Sequence, residues 1–267
     1  MPVPFDPHRF RTNAAYYVSG RLSYPDTLIE RVAVRIGLAR QDRVLDLGCG
    51  PGFLAAAFAG RAGEIVAVDP EAEMLAVAAA YARERGLQIS FREGSSYALA
   101  DDLGLFRLVT MGRSFHWMDR AQTLGRLAQL TTGDAVVGLF HDHHLDIPEN
   151  RWTRLFKEVM EPYKRRDAGR TMFGFESPSW VRHEAFLLDS AFSRLERISV
   201  IQRLQTPIER LIDRALSMSA TSPERLADEL PEFVSKLERV LRQEAPSGVL
   251  PEVVESEALL GFKVARA

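Results

Sequence analysis

The chain has 267 residues, of which 46% are hydrophobic and 26% charged, with a net charge of −2. That length suits one large α/β domain or a domain with a small cap, and the near-neutral balance argues against nucleic acid or an anionic membrane as an obligate partner. Cys49 is the only cysteine, which excludes an intrachain disulfide and fits a reducing compartment; with no basic-then-apolar leader at the N-terminus and no apolar stretch of membrane-spanning length, a cytoplasmic location is expected.

Residues 4–20 are polar and aromatic, with Tyr16 and Tyr17 adjacent. Leu28, Ile29, Val32, Ala33 and Ile36 then recur at helical spacing, with Pro25 suited to the first turn. The stretch Val44–Phe53 organises the rest of the chain: a short strand over Arg43–Leu47, a turn carrying Gly48, Cys49, Gly50 and Gly52, and a helix from about Gly52 to Ala59. Such glycines let a ligand approach the backbone, and the helix start directs N–H groups at it. The spacing is G-x-G-x-G, and Asp46 stands two residues before the first glycine. A carboxylate there opposes a pyrophosphate and suits a ligand that carries an ammonium group instead. Cys49, inside the turn, reads as a small side chain tucked against the strand and not as a nucleophile.

Glu64–Val68 is a short, nearly all-apolar strand of the kind that parallel sheets bury on both faces, and it ends in Asp69-Pro70. An acid about twenty residues past the glycines can bind ribose hydroxyls; Asp69 could equally cap the helix marked by Met74, Leu75, Ala78, Tyr81 and Ala82 and stopped at Gly86. Gln88–Arg92 is the third strand, followed by Ser95, Ser96 and Tyr97. Leu105–Met111 is the fourth, followed by Gly112-Arg113-Ser114-Phe115-His116-Trp117-Met118-Asp119, whose terminal acid can cap the next helix. Ala135–Phe140 is the fifth and delivers His141-Asp142-His143-His144 at its carboxyl end, the edge where open α/β sheets bind ligands. Adjacent side chains on an extended backbone point apart, and no second cluster with ligand spacing exists, so no metal is expected.

The motif Asp46-Leu47-Gly48-Cys49-Gly50-Pro51-Gly52 resembles that of class I S-adenosylmethionine-dependent methyltransferases. Around His116-Trp117 the chain is similar to the small-molecule branch that includes trans-aconitate methyltransferases. The resemblance covers Tyr17–Phe140 well and the remainder in outline. It implies a Rossmann-like α/β fold: a seven-stranded, mostly parallel sheet, helices on both faces, the last strand antiparallel, and helical cap insertions. It implies S-adenosylmethionine as cofactor, held by Asp46, Gly48, Cys49, Gly50, Asp69, Pro70, Met74, Ser95, Ser96, Tyr97 and Arg113, under an N-terminal lid with Tyr17 and Arg21. Where many family members place an acid after the third strand for the adenine amino group, this chain has serines.

After Pro148 the pattern changes. Trp152, Leu155, Phe156, Val159, Met160 and Tyr163 form a helical stripe that begins an insertion. Ser179–Leu188 reads as a helix, Leu195–Leu204 as the sixth strand, Ile208–Met218 and the region after Ser222 as further helices, and Leu259–Ala265 as the closing strand. One methyltransferase domain is expected over 1–267, divided into a lid and helix (1–38), a cofactor-binding core (39–140) and cap insertions (141–178 and 205–246). Methyl transfer is an in-line displacement that needs alignment, water exclusion and, for a phenol or ammonium acceptor, a base. His116 and His141 are the candidate bases, and Trp117, His143, Trp152 and Phe156 the candidate contacts to a small-molecule acceptor. Arg113 and Arg21 offer positive charge for an anionic one. Transfer to an O, N or carboxylate acceptor, cofactor-dependent cyclisation or decarboxylation, and a non-catalytic cofactor-binding regulator all remain open at this point.

Overall fold

The structure is a computed structural model that describes residues 11–166 and 180–264. Seven strands form one sheet: β1 (Arg43–Leu47), β2 (Glu64–Asp69), β3 (Ser90–Glu93), β4 (Phe106–Gly112), β5 (Thr131–His144), β6 (Arg194–Pro207) and β7 (Val249–Phe262). Their order is β3-β2-β1-β4-β5-β7-β6. The pairs among β1 to β5 are parallel, and β7 runs antiparallel to both β5 and β6. This is the expected Rossmann-like sheet with its antiparallel last strand.

Helices α1 (Ala14–Gly20), α2 (Asp26–Ile36), α3 (Phe53–Phe58), α4 (Ala72–Glu84), α5 (Arg120–Gln129), α6 (Trp152–Arg166), α7 (His183–Leu188), α8 (Ile208–Leu216), α9 (Pro223–Leu226) and α10 (Leu230–Glu244) complete it. The strands β1 and β2 are apolar on both sides because both sides are covered. On one face Leu28, Ile29, Val32 and Ile36 of α2 and Leu54 and Phe58 of α3 pack on Val44, Leu108, Val136 and Phe140. On the other, Leu124 and Leu127 of α5 and Leu187 of α7 pack on Leu45, Val109, Val137 and Leu139.

The last three strands are longer than their sequence signal. β5 continues through His144 where Phe140 was the expected end, β6 reaches Pro207, and β7 begins at Val249, ten residues before the expected Leu259. The acids in Glu252–Glu257 disguise this strand, since their partners lie far away in the chain. The pairing is continuous, from Pro207↔Val249 to Arg194↔Phe262 on one side of β7 and from His144↔Val254 to Val136↔Phe262 on the other. Residues 141–144 and 205–207 therefore belong to the sheet, and the cap helices begin after them. α6, α8, α9 and α10 bury Trp152, Phe156, Met160, Leu211, Phe233 and Leu237 in a third core of their own. The indole Nε1 of Trp152 donates to the Pro251 carbonyl at 2.8 Å, which ties this cap to the extended sheet. Residues 167–178 of the first expected insertion, and Ser179 at the start of the expected Ser179–Leu188 helix, lie outside the described residues; the observed helix there starts at His183. Among the described residues no helix is long and apolar enough to cross a membrane.

Candidate active site

The site is built on the turn after β1. Gly48 and Gly50 adopt φ of +67° and +52°, which an L side chain rarely does. A Cβ on Gly48 would strike Ser114 at 2.7 Å, while one on Gly50 would meet no atom within 4 Å, so the turn is braced from below and open on its far side. Asp46 is 1% exposed. Its two carboxylate oxygens accept hydrogen bonds from Ala55 N–H (3.0 Å) and Thr110 Oγ1 (2.8 Å). It thereby clamps β1 to β4 and to α3, and it shapes the turn from within the core. Burial outweighs these two bonds and pushes its pKa up to about 7. Cys49 is buried in the apolar cluster beneath α3, and that burial holds its thiol pKa well above the ordinary value.

Asp69 ends β2 beside this turn. One oxygen accepts from Gly50 N–H at 2.8 Å and the other from Glu71 N–H at 3.0 Å. A carboxylate has about four acceptor positions, so two remain for a ligand's hydroxyls. Asp69 does not cap α4, whose N-cap is Glu71. Met74 is buried, Pro70 half-buried, Ser96 buried, and Ser95 and Tyr97 half-buried, which rings the same end of the sheet with small and aromatic groups.

The loop after β4 closes the other side. Arg113 has φ +56°, a strained value for a residue with a side chain. Its N–H donates to the Phe140 carbonyl at 2.9 Å. Its guanidinium meets Asp142 at 2.9 Å, donates to the Leu22 carbonyl at 2.8 Å and lies 5.0 Å from the centre of the Tyr24 ring. Burial disfavours the charge, but Asp142 and Tyr24 more than offset it and raise the Arg113 pKa. Arg113 thus joins the lid, the β4 loop and β5, and its charge is committed within the protein. Ser114 Oγ donates to Leu47 O at 3.0 Å, and the His116 and Trp117 rings are 4.7 Å apart, both half-buried. Asp119 caps α5 through the Gln122 N–H, as its position suggests.

The run His141-Asp142-His143-His144 is divided by the alternation of the strand. His141 and His143 lie on one face, their rings 6.0 Å apart, opposite Glu257 (3.7 Å) and Glu255 (3.3 Å) on β7. Burial lowers the His141 pKa against the opposing pull of Glu257. His183, whose pKa burial and then Arg120 bring down to about 4, lies on that side with its ring 5.1 Å from that of Phe115 and tilted by 59°. Asp142 and His144 lie on the other face. Asp142 meets Arg113, and His144 meets Glu252 at 2.7 Å and the Trp152 ring at 5.3 Å. The cap is on this second face, so His141 and His143 are separated from it by the strand itself. Trp152 (2% exposed) and Phe156 (8%) are spent on the cap's own core. Arg21 donates through Nε to Ser217 Oγ (2.7 Å) and through Nη2 to Ser217 O (3.2 Å), 5.1 Å from the Tyr17 ring.

Residues 44–134 match the model of the family described as "Methyltransferase domain". The match covers the glycine turn, β2 to β4 and α5, about a third of the chain. Among curated proteins, the chain is 39% identical over 59 residues to a ubiquinone biosynthesis O-methyltransferase of Azorhizobium caulinodans, covering 22% of this chain and 23% of that protein. It is 26% identical over 170 residues to an uncharacterized methyltransferase-like protein of Schizosaccharomyces pombe, covering 63% of each. The chain therefore spans less than two thirds of the length of these relatives. Among solved structures, a SAM-dependent methyltransferase from Thiobacillus denitrificans in complex with S-adenosyl-L-homocysteine superposes with a TM-score of 0.52 at 16% identity, over all of both chains, which establishes the shared fold. The donor set fits S-adenosylmethionine: an open glycine turn, a carboxylate with two acceptor positions to spare at the end of β2, and no lysine or arginine within the glycine turn.

Several residues that shape this site have no signal in the local sequence. Thr110, Tyr24, Asp142, Arg214 and Glu252 matter through partners 29 to 194 positions away, and only the pairing of distant segments identifies them.

Proposed function

We propose that the protein transfers the methyl group of S-adenosylmethionine to an O, N or carboxylate acceptor on a small molecule held between the carboxyl edge of the sheet and the helical cap. The observation that carries this reading is the Asp69 carboxylate, fixed beside the open Gly48–Gly50 turn by Gly50 and Glu71 with acceptor positions remaining. When bound, the cofactor supplies a methyl group activated by a sulfonium. Asp69 binds its ribose hydroxyls, Met74 and Ser95–Tyr97 border the adenine, and Gly48–Gly50 let the backbone approach. Arg21 and Tyr17 of the lid face the carboxylate of the amino acid end. Charge-assisted contacts of this kind are the stronger hydrogen bonds of a site. The stretch Gly112–Asp119 supports placement in the small-molecule branch resembling trans-aconitate methyltransferases. His116, in the loop that follows the central strand β4, is the base for an acceptor that must lose a proton; His141 on the opposite face of β5 from the cap is the weaker candidate for it.

The test is calorimetric titration with S-adenosylmethionine, followed by incubation with methyl-labelled cofactor and a pool of metabolites. Cofactor binding with label in a product supports the reading. Binding with conversion but no label supports cyclisation or decarboxylation, and no binding overturns it.

A further inference from the structure

The lid and the cap are joined by one buried polar chain that ends at Arg21. Glu252 on β7 is completely buried. It takes hydrogen bonds from His144 Nε2 (2.7 Å), Thr206 Oγ1 (2.5 Å) and the guanidinium of Arg214 on α8. Burial alone would raise its pKa, but these donors reverse that and hold it at about 2, so Glu252 is a fixed anion. Arg214, itself 7% exposed, turns its remaining Nε to the carbonyl of Gly20 at 3.0 Å. Gly20 is the last residue of α1 and packs so close to α8 that a Cβ there would overlap the Arg214 backbone. The next residue, Arg21, is received by Ser217, whose hydroxyl donates back to the Arg214 carbonyl at 2.7 Å. Among the described residues no carboxylate pairs with Arg21, and burial pushes its pKa down. An unpaired, partly desolvated guanidinium held by hydroxyl and carbonyl oxygens is a preformed place for a ligand's anion.

We propose that Arg214, anchored by Glu252, is a positioning residue that fixes the lid against the cap and sets the Arg21 guanidinium for the carboxylate of the bound cofactor. This rests on the cofactor reading above for its ligand, but the mechanical link from Glu252 through Arg214 to Gly20 does not. Arginine is required at 214 because one planar fork serves Glu252 and Gly20 at once, which a lysine ammonium on a flexible stem does not reproduce.

The experiment compares wild type with Arg214→Lys, Arg21→Gln and the double variant. Three quantities are measured: S-adenosylhomocysteine affinity by calorimetry, the thermal midpoint, and amide hydrogen exchange along residues 14–21. Expected results are a loss of tenfold or more in affinity for each single variant, no further loss in the double, and faster exchange in 14–21 of Arg214→Lys with the β1–β4 amides unchanged. If Arg214→Lys does not fold, Gly20→Ala, which forces α1 away from α8, replaces it in the same comparison. Wild-type affinity in the folded Arg214→Lys protein overturns the proposal, as do multiplicative losses in the double variant or protection lost throughout the sheet. A wild-type protein that binds no S-adenosylhomocysteine refutes the cofactor reading. In that case unchanged exchange at residues 14–21 in Arg214→Lys overturns the strut as well, and faster exchange confined to them upholds it.

Discussion

Asp46→Asn tests whether the turn is held by a buried carboxyl group that resists ionisation. Asp46 is 1% exposed and satisfied by Ala55 N–H and Thr110 Oγ1, and burial raises its pKa from the ordinary 3.8 to about 7. The unfolded chain gives up this proton near pH 4, whereas the folded protein keeps it until near pH 7. Between those values the folded state binds more protons, so wild-type stability falls as pH rises. At about 1.4 kcal/mol for each pH unit, the ionisation costs at most about 4 kcal/mol above pH 7. Asparagine keeps an oxygen for Ala55, and its amide can donate to Thr110, whose hydroxyl rotates. Urea unfolding of both proteins at pH 4.5, 6 and 8 is the assay. The stability difference should swing in favour of Asp46→Asn by up to about 4 kcal/mol across that range. A difference independent of pH, or one that favours wild type as pH rises, would refute the reasoning and mean that Asp46 is ionised in the folded protein at low pH.

Asp69→Ala should weaken S-adenosylmethionine binding by about 1–3 kcal/mol, as for a lost buried acceptor, and calorimetry reads it directly; an unchanged affinity removes Asp69 from the ribose site. His116→Ala should lower turnover at neutral pH by about a hundredfold or more with cofactor affinity intact, and recover much of the loss as pH rises and the acceptor ionises unaided. A loss independent of pH shows that His116 holds the loop and takes no proton. Cys49 should resist thiol reagents in the native protein at pH 8 and react promptly in urea, because it is buried and its thiol pKa is raised; rapid native labelling would show that the turn opens.

The sequence by itself determined the parts of this protein that are local. The strand–turn–helix at Arg43–Phe58 is legible because apolar run, glycines and alanine-rich helix are contiguous, and the apolar strands β2 and β4 follow from burial on both faces. Asp119 announced its cap on α5 for the same reason. What the sequence could not show is where distant segments meet. Glu252, Ser256 and Glu257 lie before the expected start of the closing strand at Leu259, yet they belong to it and are buried, because His144, Arg214 and Arg197 supply the partners that make burial of charge tolerable. The extension of β5 turned four adjacent residues into two opposite faces. That alternation, and not the spacing of the histidines, placed Asp142 and His144 beneath the cap and left His141 and His143 on the far side. Arg113 was legible as a charge near the site. Only the tertiary structure shows that Asp142, Leu22 and Tyr24 consume it, while Arg21 donates to Ser217 and meets no carboxylate among the described residues.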